Sequence, residues 1–121
     1  MKSFLYGRVC FRTENYIANV TDTSEKFDTI ICLSTTKWVH LNFGDIGLKA
    51  LFLKAYEQLE QDGIFIVEGH PWKSYKKKKN MCAKFKDIFN GIQLRPHLFK
   101  EYLQRIGLRH ITTFMPSETN P

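Results

Sequence analysis

The chain has 121 residues, 43% hydrophobic and 14% aromatic, and a formal net charge of +6. That length allows at most one small domain, and that hydrophobic content excludes a disordered chain; no apolar run approaches the roughly 20 residues of a membrane span. The cationic excess favours polyanionic partners, nucleic acid before membrane, because no strongly amphipathic basic helix is present, with a merely soluble basic protein as the plain alternative.

The N-terminal stretch MKSFLYGRVCF has one early lysine and a few apolar residues, but Arg8 and Arg12 interrupt it, so it does not read as a signal peptide. Cys10, Cys32 and Cys82 are scattered and odd in number. They fit neither a disulfide framework nor a zinc spacing, which points to a reducing compartment, nuclear or cytoplasmic. The four histidines are isolated and no carboxylate pair accompanies them, so no metal site is expected. Val9, Cys10 and Phe11 suit a short strand, Asn15 and Tyr16 follow at its carboxyl end, and residues 19–26 read as a polar loop.

Residues 27–42, FDTIICLSTTKWVHLN, organise the rest. Residues 29–33 are a continuous β-prone run bounded by polar residues, which predicts a strand buried on both faces in a parallel sheet. Ligands of open α/β sheets lie outside the carboxyl ends of the strands, so residues 34–40 are expected to be site residues. A helix is predicted from Gly44 and Asp45, because Leu48, Leu51, Phe52, Ala55, Tyr56 and Leu59 recur on one face of a 3.6-residue period. Gln61-Asp62-Gly63 reads as the turn that stops it, with the glycine free to take positive φ, and residues 64–67 as a second buried strand. Strand, helix, strand predicts a right-handed βαβ unit with parallel strands.

The second strand runs into Glu68-Gly69-His70-Pro71-Trp72, where proline holds His70 extended and brings Trp72 to the mouth of the sheet. Lys76, Lys77, Lys78 and Lys79 are either a solvated face or, beside the strand ends, a surface for a phosphate backbone. Met81, Phe85, Ile88 and Phe89 give a helical pattern, and a further helix is expected from Pro96, with Leu98, Phe99, Tyr102, Leu103 and Ile106 inward and Gly107 as its stop. Residues 108–115 read as a last strand.

The run LSTTKWVHLNFGDIGL, followed by EGHPWKSY, closely resembles the bicoid-interacting family of RNA methyltransferases, over residues 8–116 or so. The resemblance implies an α/β fold, a partial Rossmann-like class I methyltransferase sheet, with residues 1–121 supplying strands three to six as the C-terminal part of a single domain. It implies S-adenosyl-L-methionine as cofactor and the 5′ phosphate end of a small RNA as substrate. Lys37 matches a phosphate ligand, Asn15 and Tyr16 match an Asn-Tyr pair near the cofactor adenine, and Leu33 matches a residue lining the cofactor pocket. His40 and His70 stand as further donors to phosphate, and Trp38 and Trp72 either stack on a terminal base or pack in the core. The glycine-rich loop that takes the methionine end of the cofactor, the acidic residue for its ribose, and the last strand of the family's sheet are all lacking here. The expected chain is therefore half a domain, open to pairing with an N-terminal half or with itself along its strand edges. Two other readings stand beside it: a catalytically inactive RNA-binding or interaction module, which the missing glycine loop favours, and a methyltransferase for a different small acceptor.

Overall fold

The computed structural model describes Val9, residues 11–19 and residues 22–113. Two strands and the helix between them form its centre: β1 (Phe27–Cys32), α1 (Thr36–Gln58) and β2 (Leu59–Val67). The strands pair in parallel, Thr29 opposite Ile64 and Ile31 opposite Ile66, as the strand–helix–strand pattern predicts. Nearer the start β1 advances from Phe27 to Thr29 while β2 runs from Leu59 to Ile64, an irregularity that β2 absorbs around Asp62. Asp62, and not Gly63, takes the positive φ there (65°). Gly63 is required for a different reason: a Cβ on it would lie 2.8 Å from the Glu60 carbonyl oxygen.

Helix α1 begins eight residues before the predicted start at Gly44, so Thr36, Lys37, Trp38 and His40 are helical and not loop residues. The run has one break, at Gly44 (φ 72°, ψ −167°), a conformation essentially reserved for glycine. Glycine there lets a first helical segment and the longer second one meet at a kink. After β2 come α2 (Trp72–Lys78), α3 (Ala83–Gly91) and α4 (Phe99–Arg105), the last entered through a 3₁₀ turn that starts at Pro96. Gly107 closes α4 at φ 124°, as expected. Helix α2 was not legible, because its lysines carry no apolar period.

Leu48, Leu51 and Phe52 of α1 pack with Leu94 and Phe99 to form the larger core, and Leu41, Tyr75 and Ile92 form a smaller one under Trp72, Phe85, Ile88 and Phe89. The predicted inward face of α4 is there: Leu98, Tyr102, Leu103 and Ile106 all pack against the larger core around Phe99.

Three expectations are corrected. β1 is not buried on both faces: Ile31 is 60% exposed and Leu33 54%, because β2 is its one partner among the described residues and α1 covers one side. Val9 and Phe11 are not in a strand, and Phe11 is 93% exposed; Cys10 lies outside the described residues. Residues 108–113 form no strand, and Phe114 and Met115 lie outside the described residues. What remains is an α/β arrangement with a small parallel sheet, compatible with part of a methyltransferase fold. No helix among the described residues is long and apolar enough to cross a membrane.

Candidate functional site

The carboxyl ends of β1 and β2 lie side by side, the Glu68 N–H donating to the Cys32 carbonyl at 2.9 Å. Directly beyond them the chain makes two polar turns. Ser34 sits at φ 53° and donates its hydroxyl to Glu68 at 2.6 Å, which ties the turns together. Thr35 donates its hydroxyl back to the Leu33 carbonyl at 2.8 Å, leaving α1 without a side-chain cap. The first N–H groups of α1 thus have no side-chain acceptor at the cap, and the positive end of the helix dipole lies at this end. Thr36, the first helical residue, is fully buried, and its Oγ1 has no hydrogen-bond partner among the described residues.

Lys37 follows on the same turn. It is 5% exposed, donates from Nζ to the Ser74 hydroxyl at 2.8 Å, and has Nζ 4.7 Å from the centre of the Trp38 ring. No carboxylate lies within ion-pair distance of it among the described residues. Burial first, and then the charge of Lys78, hold its pKa below the usual lysine value. A buried cation beside a second cation and without a counter-ion is a group prepared for an anion.

His70 and Trp72 come from the turn after β2. His70 is half-buried; burial and then the Lys37 charge lower its pKa below the usual histidine value, Glu68 opposing, which favours the neutral form. Trp72 packs into the smaller core, stacked on Phe89 (4.6 Å between centroids, 15° between planes) with the Arg95 guanidinium 4.7 Å from its ring centre and Tyr75 at 5.1 Å. Its ring is occupied by protein, which is the packing alternative of the two expected. Trp38 is half-buried against Phe85, with the Lys37 ammonium over its ring.

His40 does not reach the site. It is fully buried between the two cores, and both ring nitrogens are engaged: Nδ1 with the Tyr75 hydroxyl and Nε2 with Asp45, each at 2.7 Å. The carboxylate only accepts, so Nε2 carries the proton and Nδ1 accepts from Tyr75. As a donor to phosphate it is therefore unsuited; it positions Tyr75, next to Ser74, on α2. Sequence reasoning missed Ser74, Tyr75 and Asp45, whose partners come from remote segments.

On the other side of β1 an apolar cleft of about 430 Å³ is lined by Tyr16, Ile31, Cys32, Leu33 and Thr35, among others. Tyr16 and Leu33 thus line the same cleft. Burial, with Cys32 second, pushes the Tyr16 hydroxyl up to about 12, so it stays protonated. Asn15 lines an adjoining polar pocket of about 170 Å³ instead, and its side chain accepts from the Ile17 N–H at 3.2 Å. Lys76, Lys77 and Lys78 are exposed on α2, whereas Lys79 is half-buried, with Nζ 4.8 Å from the Phe89 ring centre. Among the described residues no three His, Cys, Asp or Glu side chains gather as a metal site.

Comparison with known proteins gives a consistent result. The family model for bicoid-interacting protein 3 matches residues 27–120. An Arabidopsis thaliana protein named as a probable RNA methyltransferase is 42% identical over 104 residues, 85% of this chain and 33% of that protein. The 7SK snRNA methylphosphate capping enzyme of Homo sapiens is 42% identical over 101 residues, 80% of this chain and 15% of that enzyme. The U6 snRNA methylphosphate capping enzyme Amus of Drosophila melanogaster is 46% identical over 78 residues, 64% of this chain and 26% of that enzyme. The chain thus spans a third or less of the length of each of these relatives.

Proposed function

The chain belongs to the bicoid-interacting protein 3 family, and from that premise we propose that it forms the phosphate-binding side of an S-adenosyl-L-methionine-dependent methyltransferase acting on the 5′ phosphate of RNA. Residues 1–121 are read as part of one Rossmann-like, class I domain, with β1 and β2 in the places of its fourth and fifth strands. The parallel pairing around α1 supports that assignment. The names of the capping-enzyme relatives support the substrate class.

The observation that carries the proposal is Lys37: a buried lysine with no carboxylate partner among the described residues, held by Ser74 at the carboxyl edge of two parallel strands. Methylation of a terminal phosphate needs no general base, because the acceptor oxygen is already anionic. It needs alignment, and it needs the phosphate charge screened. Lys37 supplies a fixed cation for that purpose, and the open N-terminus of α1 adds partial positive charge. Lys76, Lys77, Lys78 and Lys79 are read as contacts to the RNA backbone, and Trp38 as the ring available to a terminal base.

S-adenosyl-L-methionine, when bound, supplies an electrophilic methyl group on a sulfonium. The apolar cleft at Tyr16 and Leu33 fits the adenine end of such a group, with Asn15 at its border. These 121 residues hold no glycine-rich loop for the methionine end. A second reading, supported by the exposed Lys76, Lys77 and Lys78, is an RNA-binding module without turnover.

The test compares binding of an RNA with a 5′ monophosphate and the same RNA with a 5′ hydroxyl. Wild-type protein should prefer the phosphate end by about tenfold, the equivalent of one charge-assisted hydrogen bond, and Lys37→Ala should remove the preference. Equal affinity of the wild type for both ends would reject the proposal. Radiolabel transfer from S-adenosyl-L-methionine to the 5′-phosphorylated RNA separates the two readings, since turnover by this chain would exclude the inactive module.

A further inference from the structure

Within reach of the Lys37 charge stands a polar group whose state is set by its surroundings. His70 Nδ1 is buried with no hydrogen-bond partner among the described residues. The other ring nitrogen, Nε2, is neither buried in this way nor bonded within the described residues, so it faces outward. Neutral imidazole has one proton to place. On Nδ1 it would be a buried donor with no acceptor, the costlier kind of orphan; a bare lone pair there is cheaper. The proton therefore belongs on Nε2, pointing out of the protein.

Resting on the phosphate reading above, we infer that His70 is a neutral Nε2–H donor to the RNA 5′ phosphate, a specificity-determining residue that takes no proton from the acceptor. It would act with the Lys37 ammonium that Ser74 holds. Thr36, buried at the first position of α1 with an unpartnered hydroxyl, lies on the same turn as Lys37 and marks a second polar group awaiting a partner.

Electrostatics agree with the neutral form. Burial and the Lys37 charge on α1 lower the His70 pKa, and Glu68, at the end of His70's own strand, opposes them without reversing the result. Lys78 on α2 acts on Lys37 and adds to the same positive field. A neutral donor suits the chemistry, because a phosphate monoester brings its own negative charge and leaves no proton to remove.

Two measurements test this. A two-bond ¹H–¹⁵N correlation spectrum of the labelled chain, with His70→Gln to assign the signals, should show the Nε2–H tautomer of His70 at pH 7. Those signals should shift with 5′-phosphorylated RNA and stay in place with 5′-hydroxyl RNA. In binding, His70→Gln keeps a donor and should retain the preference for the phosphate end, whereas His70→Leu should lose about tenfold of affinity for that end alone. An Nδ1–H tautomer, an imidazolium at pH 7, or a His70→Leu protein with undiminished preference would overturn the assignment. If the wild type itself fails to distinguish the two ends, the phosphate reading falls and this inference with it. If only Lys37→Ala loses the distinction, the phosphate site stands and His70 is excluded from it.

Discussion

Asp45 uses two oxygens to satisfy three donors: His40 Nε2 on one, and the Gln93 and Leu94 backbone N–H groups, at 2.9 and 3.1 Å, on the other. Through His40 and Tyr75 this carboxylate links the kink in α1 to α2 and to the segment before α4. Its titration sets the response to acid. Burial alone would raise the Asp45 pKa, but the hydrogen bonds from His40, Gln93 and Leu94 outweigh it and hold the group below 3.8. His40 goes below 6.5 because burial outweighs the pull of Asp45. Both groups bind a proton less readily folded than unfolded, so stability rises with pH across each window. Urea midpoints should be flat above pH 7, fall as the pH drops from 6.5 while the buried histidines are forced to charge, and fall again below 3.8. A midpoint that is the same at pH 7.5 and pH 5 would contradict a neutral, buried His40.

Helix α2 divides its lysines among different environments. Ser74 and Lys78 are four residues apart and share a face, which explains why Lys78 is the lysine whose charge reaches Lys37. Lys76 and Lys77 point to solvent, and Lys79 lies over Phe89 in the turn that follows. The run therefore extends from the neighbourhood of Lys37 to a more distant basic surface. Replacing Lys76, Lys77, Lys78 and Lys79 by alanine should weaken RNA binding at every sequence. It should also flatten the slope of log affinity against log salt by up to about 3, at roughly 0.7 per phosphate contact on a single strand. An unchanged slope in that quadruple variant would remove the helix from the RNA surface.

For the molecule as a whole, the sheet is the weak point. Ile31 and Ile66 are paired and lie on one face with Leu33 and Ile64, and these four residues are 43% to 60% exposed. The opposite face, with Phe65, Val67 and Cys32, packs on the larger core beneath α1. Among the described residues the sheet has two strands and one exposed apolar face, which invites pairing with another chain. Sedimentation velocity should show self-association that grows with protein concentration, and Ile31→Lys should reduce it without lowering the urea midpoint. A monomer at every concentration would show that the bare face is tolerated.

How much of this could be read from residues alone depends on how local each signal is. The parallel pair β1 and β2, the inward face of α1 from Leu48 to Ala55, and the Pro96 and Gly107 limits of the last helix follow from β-propensity, a 3.6-residue period and backbone restriction, which act over a few positions. The run around Lys37 does lie past the strand ends, at the edge that βαβ topology leaves open. The start of α1 at Thr36 was hidden, since Gly44 looks like a boundary until the packing on both sides of the kink makes it an interruption. Tertiary structure alone assigned the histidines. In the sequence His40 and His70 are equivalent polar residues near strand ends; in the fold one has both nitrogens bound between two cores and the other has one nitrogen free to solvent. The difference is made by Tyr75 and Asp45 for His40, and for His70 by the lack of any such partner among the described residues, and contacts between segments 35 residues apart leave no trace in local pattern.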